Sequence, residues 1–362
     1  MLSQQNTDRM AAAPFIYLNF VRRFFNDPFI DTVEKTPEVY KHFNLDIIHR
    51  NIRCGYMHIP PVGENWQVRT HTENDCCALE IDTPAGSLRQ ITQERKAAKF
   101  EEKLAYLGDI KEPLIKSKQD FLIITRYMPP QPIINLKDVS RGRKIVGEDG
   151  IIAPWVQGAY NFLSLFRSLE DLLTDALLDE GFYRDMMVFF MERNWLIIEQ
   201  YIKAGTAVLS YAGNIANARS VGPDFFNKYV FSYEKELIQR IHNVGGKVIY
   251  HNCGFAMQLY PAYRDMQVDM FETLTGAPFG DGDIENAMGV FQGHAALSGN
   301  IDQVNFLMNA APKQVYEKTK ELILRVKDYR HFILAASDFF ETYTPYENIR
   351  AFSDACQDFG GY

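Results

Sequence analysis

From about residue 151 onward, short apolar runs alternate with longer segments in which apolar residues recur every three or four positions. Short apolar runs of this kind predict buried strands, and the longer periodic segments predict amphipathic helices. The predicted strands are Ile151–Val156, Ala207–Tyr211, Lys247–His251, Met270–Leu274, Ala296–Gly299 and Phe332–Ala336. The predicted helices are Ser168–Leu178, Phe182–Ala204, Pro223–Asn243, Pro312–Tyr329 and Pro345–Phe359.

This alternation predicts a parallel sheet whose strands are joined by right-handed crossovers. No GxGxxG segment follows the first strand and no GxxxxGK[ST] segment is found, which weakens the case for an open nucleotide-binding sheet. We therefore expect an α/β fold, a TIM (β/α)8 barrel with an N-terminal extension of short helices and strands. We expect residues 1–150 to form an N-terminal segment with helices and a β-hairpin that packs on the barrel. Residues 151–362 are expected to form the main part of the barrel, with one structural domain overall.

The N-terminal segment mixes short apolar runs with turns. The predicted hairpin consists of strands Ala78–Ile81 and Leu88–Thr92 around a turn at Thr83–Gly86. A short helix is predicted to begin after Ser117 and to end before Pro129. Residues 136–151 are polar and contain glycine, so we predict a loop there.

The residues that follow the predicted strands are candidates for function, because the active sites of TIM barrels lie at the carboxyl ends of the strands. His251 ends one strand, and Cys253 comes two residues later. Residues two apart on an extended segment point to the same side. An imidazole and a thiolate are good ligands for Zn²⁺. The alternative is ordinary packing, because cysteine is a common small buried residue.

Two carboxylates add to this picture. Asp338 follows the apolar run FILAAS, at the end of another predicted strand. A carboxylate can bind Zn²⁺, although it is a harder ligand than a thiolate, and the alternative role is a cap or turn. Glu272 lies inside its predicted strand, where it either faces the barrel and binds substrate or holds a ligating imidazole in place. The metal candidates are thus His251, Cys253 and Asp338, with His251 and Asp338 as catalytic candidates.

Tyr211, Asn214 and Asn300 are candidates for substrate binding, together with Glu272, because they lie at or just after strand ends. The dipeptides Gly213-Asn214 and Gly299-Asn300 are also typical of turns, which is the structural alternative for both asparagines.

Composition and charge exclude several classes of function. The formal charge is −8, from 38 Lys and Arg against 46 Asp and Glu, so we expect no nucleic-acid partner. The N-terminus does not resemble a secretory signal, and no run of about 18 apolar residues predicts a membrane span. The 5 cysteines are odd in number and scattered, which favours a reducing cytoplasm over a disulfide framework.

Several segments, in this order, resemble the uroporphyrinogen decarboxylase superfamily and, within it, the corrinoid-linked methyltransferases. They are IDTPAGSLRQ, KEPLIKSKQDF, the block from AGTAVLSYAG to KVIYHNCG, FETLTGAPFGDGDIENA, LSGNID and TPYENIRAF. The resemblance implies a TIM barrel, in agreement with the strand and helix pattern. The Arg-Gln-Ala-Gly-Arg segment with which the decarboxylase grips porphyrin carboxylates is not found, which argues against uroporphyrinogen as the substrate.

The resemblance also implies a chemistry. The methyltransferase branch binds zinc through a His-x-Cys after one strand and a Cys after the last, and His251 and Cys253 match the first part. Asp338 stands at the third position, where a carboxylate would make the zinc harder and more Lewis-acidic. The implied activity is zinc-dependent transfer of a methyl group between a corrinoid protein, which carries methylcobalamin, and a small acceptor such as a thiol or tetrahydrofolate.

Two other functions stay open at this point. One is a decarboxylase-like carboxy-lyase that acts on a smaller carboxylated substrate, with Tyr211 and Asn300 binding the carboxylates. The other is a barrel that binds a ligand or partner without catalysis. The expected partners are a corrinoid protein and a small-molecule methyl acceptor, and a homodimer stays open as the oligomeric state.

Overall fold

The computed structural model describes residues 7–52, 58–74, 76–93, 109–130 and 134–362. Along these ranges the strands are β1 Ala11–Ala12, β2 Ile47–His49, β3 Val62–Gly63, β4 Trp66–Glu73, β5 Cys76–Thr83, β6 Gly86–Gln93, β7 Asp109–Glu112, β8 Gly150–Ile152, β9 Trp155–Gln157, β10 Val208–Ala212, β11 Lys247–His251, β12 Met270–Glu272, β13 Ala296–Ile301 and β14 Phe332–Ala336.

The α-helices of the same ranges are α1 Leu18–Phe25, α2 Thr32–His42, α3 Lys118–Tyr127, α4 Lys137–Val146, α5 Ala159–Leu163, α6 Leu169–Leu178, α7 Glu180–Lys203, α8 Pro223–Phe225, α9 Phe231–Asn243, α10 Tyr260–Asp265, α11 Ile284–Phe291, α12 Pro312–Val326 and α13 Tyr346–Phe359. Short π-helical turns lie at Phe226–Val230 and Gln303–Leu307. No helix in the described ranges has both the length and the apolar character needed to cross a bilayer.

The barrel is built from two groups of strands. One sheet has the order β1-β14-β13-β12-β11-β10-β9, and β2 pairs with β8. Pairs β1/β14, β10/β11, β11/β12, β12/β13, β13/β14 and β2/β8 are parallel. Backbone hydrogen bonds bridge the two groups, from Asp46 N to Ala12 O at 2.8 Å and from Ser210 N to Pro154 O at 3.0 Å. The predicted α/β fold of TIM-barrel type is confirmed.

The barrel interior is a single apolar cluster. Eight strands contribute one buried side chain each to this cluster, namely β1, β2, β8 and β10 to β14. The side chain belongs to the strand itself or to the residue directly after it. The residues are Ala13, Ile48, Ala153, Val208, Ile249, Met270, Ala296 and Ile333. Because side chains alternate along a strand, the residue two positions after a cluster member also points inward. His251 follows Ile249 in this way, and Glu272 follows Met270. The core pattern therefore aims both polar side chains into the carboxyl end of the barrel.

The chain divides into two compact units. The first comprises Met1–Cys54, Leu136–Val156 and Tyr201–Tyr362, and the second comprises Gly55–Asn135 and Gln157–Gln200. The second unit contains the antiparallel sheet β3-β4-β5-β6-β7. In this unit Gln90 of β6 donates to the carbonyl of Leu165 at 2.7 Å. Phe121 of α3 packs against Phe182 and Phe189 of α7, with ring centroids 5.7 Å apart in both pairs.

Most of the predicted strands and helices are confirmed, and β11 and β14 have the predicted bounds. The predicted hairpin is formed by β5 and β6, and Ser117 accepts a hydrogen bond from the backbone of Asp120 as the cap of α3. One predicted strand, Ile151–Val156, is divided into β8 and β9. One predicted helix, Pro223–Asn243, is interrupted by the π-helical turn at Phe226–Val230.

The predicted loop at residues 136–151 is wrong, because Lys137–Val146 forms the helix α4. Its buried residues Val139, Gly142 and Val146 lie three and four positions apart and form one face of the helix. A Cβ at Gly142 would lie 2.5 Å from Cδ1 of Ile52, so the glycine permits close packing and does not mark a turn. The segment is mostly polar, so the sequence analysis did not recognise the few apolar positions as one face of a helix.

Replacing a member of the barrel cluster should destabilise the protein much more than replacing an exposed aliphatic residue. Ile249→Ala leaves a cavity among fully buried neighbours and should cost about 2–5 kcal/mol. Val244→Ala, at a position that is 44% exposed, is the matched control and should change stability little. Thermal unfolding followed by circular dichroism measures both variants. Equal losses would contradict a packed barrel interior at Ile249.

Candidate metal centre

Three potential metal ligands meet at the carboxyl ends of the barrel strands. His251 is the last residue of β11, Cys253 lies two residues later, and Asp338 lies two residues after β14. One nitrogen, one sulfur and one oxygen from these residues all lie within 4.8 Å of one another. Nε2 of His251 is 4.0 Å from Oδ1 of Asp338. The structure therefore brings together the three side chains that we identified from the sequence as candidate metal ligands.

His251 is held in one orientation by Glu272. The two residues are paired in register across β11 and β12, and Nδ1 of His251 lies 2.9 Å from Oε1 of Glu272. A carboxylate only accepts hydrogen bonds, so Nδ1 carries the proton and donates it. Nε2 is thereby directed toward Asp338 and is the ring nitrogen available to a metal. Of the two roles considered for Glu272, its position matches the one that orients a ligating imidazole.

Arg50 completes this arrangement from the strand β2, which ends one residue before it. Its guanidinium forms a bidentate ion pair with Glu272, with Nη1 2.5 Å from Oε1 and Nη2 2.6 Å from Oε2. Both side chains are buried, at 1% and 5% exposure. The guanidinium also lies over the rings of Phe15 and Trp155, at 5.0 and 5.7 Å from their centroids. Such a pair fixes the carboxylate plane, and with it the hydrogen bond to His251.

These contacts change the pKa of each acid and base. Burial alone would raise the pKa of Glu272, but the charge of Arg50 and the hydrogen bond from His251 outweigh it and lower the pKa to about 2. Burial disfavours the imidazolium, yet hydrogen bonds to Cys253 and Glu272 outweigh it and raise the pKa of His251 well above its usual value. Burial raises the pKa of Asp338. Without a metal, His251 is therefore protonated among three acidic groups.

An aromatic surface adjoins these ligands within the same unit. The ring of Trp155 meets His251 edge-on, with centroids 5.2 Å apart and an interplanar angle of 84°. Phe15 packs on Trp155 at 5.4 Å, and Tyr17 packs on Phe339 at 5.3 Å. Trp155, Tyr17 and Phe339 are half-buried. Trp155 contacts His251 directly, and Phe339 follows Asp338 in the chain, so apolar rings adjoin two of the three candidate ligands.

Tyr211 is not brought together with the three ligands. Its hydroxyl donates to the buried carboxylate of Glu234 on α9, and its ring stacks on Tyr250 with centroids 5.6 Å apart. The reason is strand alternation: Val208 points into the barrel cluster, so Tyr211, three residues later, points outward toward the helices. Its position gives no support to a role in binding substrate at the barrel mouth.

The two asparagines lie at the same end of the barrel but in different surroundings. Asn214 follows β10, and its carbonyl accepts a hydrogen bond from Nδ2 of Asn217 at 2.9 Å, in keeping with the turn chemistry considered for it. Asn300 lies in β13 and lines a cavity between β13, the loop before α11 and the helix α12. Ser337, the residue before Asp338, lines the same cavity.

Arg50 and the aromatic residues were not identified from the sequence. The run that precedes Arg50 forms a strand of only three residues, Ile47–His49, which is too short for a clear periodic pattern. The signal that could have found it is the rule that located His251, namely a polar residue directly after an apolar run. Arg50 is 222 positions from Glu272, so their pairing depends on the tertiary arrangement of the strands.

The donor set fits a zinc ion. One imidazole, one thiol and one carboxylate are all zinc ligands, and three protein ligands leave a fourth position for substrate. The imidazole that would bind is oriented by a carboxylate on its other nitrogen, as is general for metal-bound histidines. His251, Cys253 and Asp338 would hold the ion.

Comparison with known proteins gives a family and a relative. The family model described as uroporphyrinogen decarboxylase (URO-D) matches residues 151–359, which is more than half of the chain. The chain is 25% identical over 154 residues to the methylated-thiol–coenzyme M methyltransferase of Methanosarcina mazei. That alignment covers 42% of this chain and spans 38% of the length of the relative.

Solved structures show the fold. A methyltransferase from Methanosarcina mazei superposes with a TM-score of 0.68 at 13% identity, over 99% of this chain and 96% of that one. A putative vitamin-B12-independent methionine synthase from Listeria monocytogenes superposes with a TM-score of 0.51 at 11% identity, over 99% of both chains. At these identities the likeness concerns the fold alone.

Breaking the buried ion pair should destabilise the protein strongly. Arg50→Met leaves the Glu272 carboxylate buried with one partner fewer, which should cost about 3–5 kcal/mol. The double variant Arg50→Met/Glu272→Met removes the unpaired charge and should regain part of that loss. Thermal unfolding of the metal-free protein measures both.

Arg9→Met is the matched control, because the Arg9–Asp46 pair is partly exposed and should contribute at most about 1 kcal/mol. An Arg50→Met variant no less stable than Arg9→Met would show that the buried pair is not a structural constraint.

Proposed function

The chain belongs to the uroporphyrinogen decarboxylase family, and from that premise we propose that it is a zinc-dependent methyltransferase. It moves a methyl group between a corrinoid protein, which carries the methyl group on cobalt, and a small acceptor such as a thiol or tetrahydrofolate. The observation that carries the proposal is the meeting of His251, Cys253 and Asp338, with ligand atoms within 4.8 Å of one another. The name of the curated relative, methylated-thiol–coenzyme M methyltransferase, is in keeping with methyl transfer.

The residues around the ligands have distinct tasks in this proposal. Glu272 holds the proton on Nδ1 of His251, so that Nε2 stays available for the metal. Arg50 keeps the Glu272 carboxylate charged and fixed in its plane. Trp155 packs against the histidine ring and limits its rotation. The set is therefore preorganised before a substrate arrives, which avoids reorganisation during the reaction.

Zinc would supply Lewis acidity, lowering the pKa of an acceptor bound at the fourth position so that a nucleophile exists near neutral pH. In the methyl transfer, the carbon–cobalt bond breaks and both of its electrons stay on cobalt, while the acceptor forms the new bond to carbon and loses its proton. His251, Cys253 and Asp338 place the acceptor, and the aromatic surface beside them keeps water from competing. A carboxylate as third ligand also allows oxygen nucleophiles as acceptors, since hard ligands favour hard partners.

The corrinoid partner rests on the resemblance of the sequence segments to the corrinoid-linked branch. A corrinoid is too large to react unless its methyl face lies against an open site. The candidate ligands lie at the carboxyl ends of the barrel strands, where TIM-barrel enzymes admit their substrates. We propose that the corrinoid protein docks at this end.

The purified protein should contain about one zinc per chain, and the content should fall in Cys253→Ala and in Asp338→Ala, because each variant removes one of three ligands. Metal analysis after preparation without chelators measures this. The loaded protein, given methylcobalamin with homocysteine, other thiols, alcohols or tetrahydrofolate in turn, should release cob(I)alamin with one of them, followed by absorbance.

Matched controls are Cys77→Ala and Asp328→Ala, which change the same residue types away from the ligand set and should leave zinc content unchanged. Protein that holds no zinc would overturn the zinc-dependent mechanism. Zinc content that persists in both Cys253→Ala and Asp338→Ala would show that the ion binds elsewhere.

Zinc binding should become tighter as pH rises. The pKa of His251 is raised in the metal-free protein, so a metal must displace the proton from its imidazole, and the raised pKa of Asp338 acts in the same direction. Below these pKa values protons compete with zinc, and above them they do not. Isothermal calorimetry in buffers with different ionisation enthalpies counts the protons released. An affinity that does not change between pH 6 and pH 8 would contradict this origin of the competition.

A further inference from the structure

A cavity lies near the candidate metal centre, and none of the three candidate ligands lines it. It has a volume of about 280 Å³ and lies between β13, the loop that precedes α11, and α12. Ser337 lines the cavity, and the next residue in the chain is Asp338, one of the candidate metal ligands. His251, Cys253 and Glu272 do not line the cavity.

Apolar side chains form most of the cavity wall. They come from three separate parts of the barrel: Phe279, Ile284, Ile301, Phe306 and Leu322. An apolar cavity of about 150 Å³ is enough to hold benzene, so this one accommodates one substituted ring or a branched chain of similar size. Its volume is just below the usual range for ligand pockets, about 300–1,000 Å³, which excludes a nucleotide-sized ligand.

Asn300 supplies an uncharged polar group at the cavity. The residue lines the wall, and no hydrogen bond of its side chain to another group is found within the described part of the chain. A primary amide that faces an apolar space offers both a donor and an acceptor to a ligand. Few polar groups in a mainly apolar pocket are the usual arrangement of a small-molecule site, where they fix the orientation of the ligand.

The charged side chains at the rim all have partners. Nζ of Lys318 lies 3.1 Å from Oε2 of Glu321, and the guanidinium of Arg325 forms an ion pair with Glu285. Asp302 also lines the cavity, and its carboxylate accepts hydrogen bonds from the backbone N–H of Val304 and from Nδ2 of Asn305. The rim therefore favours neither an anion nor a cation. A charged ligand would be attracted by one group of each pair and repelled by the other.

We propose that this cavity binds a small uncharged organic molecule, with its apolar body against Ile301, Phe306 and Leu322 and its one polar group hydrogen-bonded to Asn300. The proposal does not depend on the proposed methyl transfer, since it uses none of the metal ligands. A ligand here contacts Ser337, the residue that precedes Asp338 in the chain. The site is thus suited to hold a second molecule next to the metal centre.

Benzamide, benzoate and benzylammonium are matched probes, because they share a ring and differ in charge. Saturation-transfer NMR on the full chain should detect benzamide binding, with weaker binding of both charged probes. Leu322→Trp fills the cavity from α12 and should abolish the benzamide signal. Leu324→Trp, on the same helix at a position that is 56% exposed, should leave it unchanged.

Asn300→Ala keeps the cavity open and removes the hydrogen bond, so it should weaken benzamide binding roughly three- to tenfold. It also provides a test if Leu322→Trp does not fold. Asn286→Ala, on the exposed side of α11, is its control and should bind as the unmodified protein does. Cys253→Ala should retain binding, which separates this site from the metal centre.

Absence of binding by benzamide would overturn the proposal. So would benzoate or benzylammonium binding as tightly as benzamide, since the rim would then accept a charged ligand. Unchanged affinity in Asn300→Ala would remove the assigned anchor.

Discussion

The ion pair between Arg50 and Glu272 is the interaction on which the candidate metal centre depends. Taking a guanidinium and a carboxylate out of water costs several kcal/mol for each ion, and their attraction offsets that cost only with good geometry. Here the pair is bidentate, both groups are almost fully buried, and the remaining carboxylate capacity is used by His251. A buried pair of this kind is weak as a source of stability. Its main consequence is that the position of Glu272 is fixed.

That fixed carboxylate determines the chemistry of its neighbour. Glu272 stays ionised at any physiological pH because its pKa is about 2, so it always accepts from Nδ1 of His251. The other ring nitrogen then faces Cys253 and Asp338 in every protonation state. Barrel geometry supplies the rest, since the register of β11 and β12 places the two residues side by side. A chain of contacts that begins at Arg50 thus ends at the atom that would bind the metal.

The sequence predicted the second half of the fold well, because its strands are buried on both faces and its helices have clear apolar periodicity. The same patterning located His251, Cys253 and Asp338 at strand ends, and the structure places them together. Arg50 escaped prediction because its strand is three residues long and its partner is distant in sequence. The helix α4 was taken for a loop because its apolar face is narrow, with a glycine at its closest contact. Sequence patterns of this kind predict local structure. The pairing of Arg50 and the close packing of α4 depend instead on tertiary contacts.

Asp338 is the position at which this chain departs from the His-x-Cys and Cys pattern of the methyltransferase branch. A carboxylate donates less electron density than a thiolate, so a metal held by His251, Cys253 and Asp338 would be a stronger Lewis acid. Its fixed surroundings support that role, since Phe339 donates its backbone N–H to Oδ1 at 2.8 Å and orients the carboxylate. Burial raises the pKa of Asp338, and the imidazolium of His251 opposes that rise in the metal-free protein. A divalent ion would do so more strongly, because two positive charges replace one at the same place. Exchange of the proton for a metal would therefore stabilise the ionised carboxylate of Asp338 more strongly, and a carboxylate at this position is compatible with a metal site.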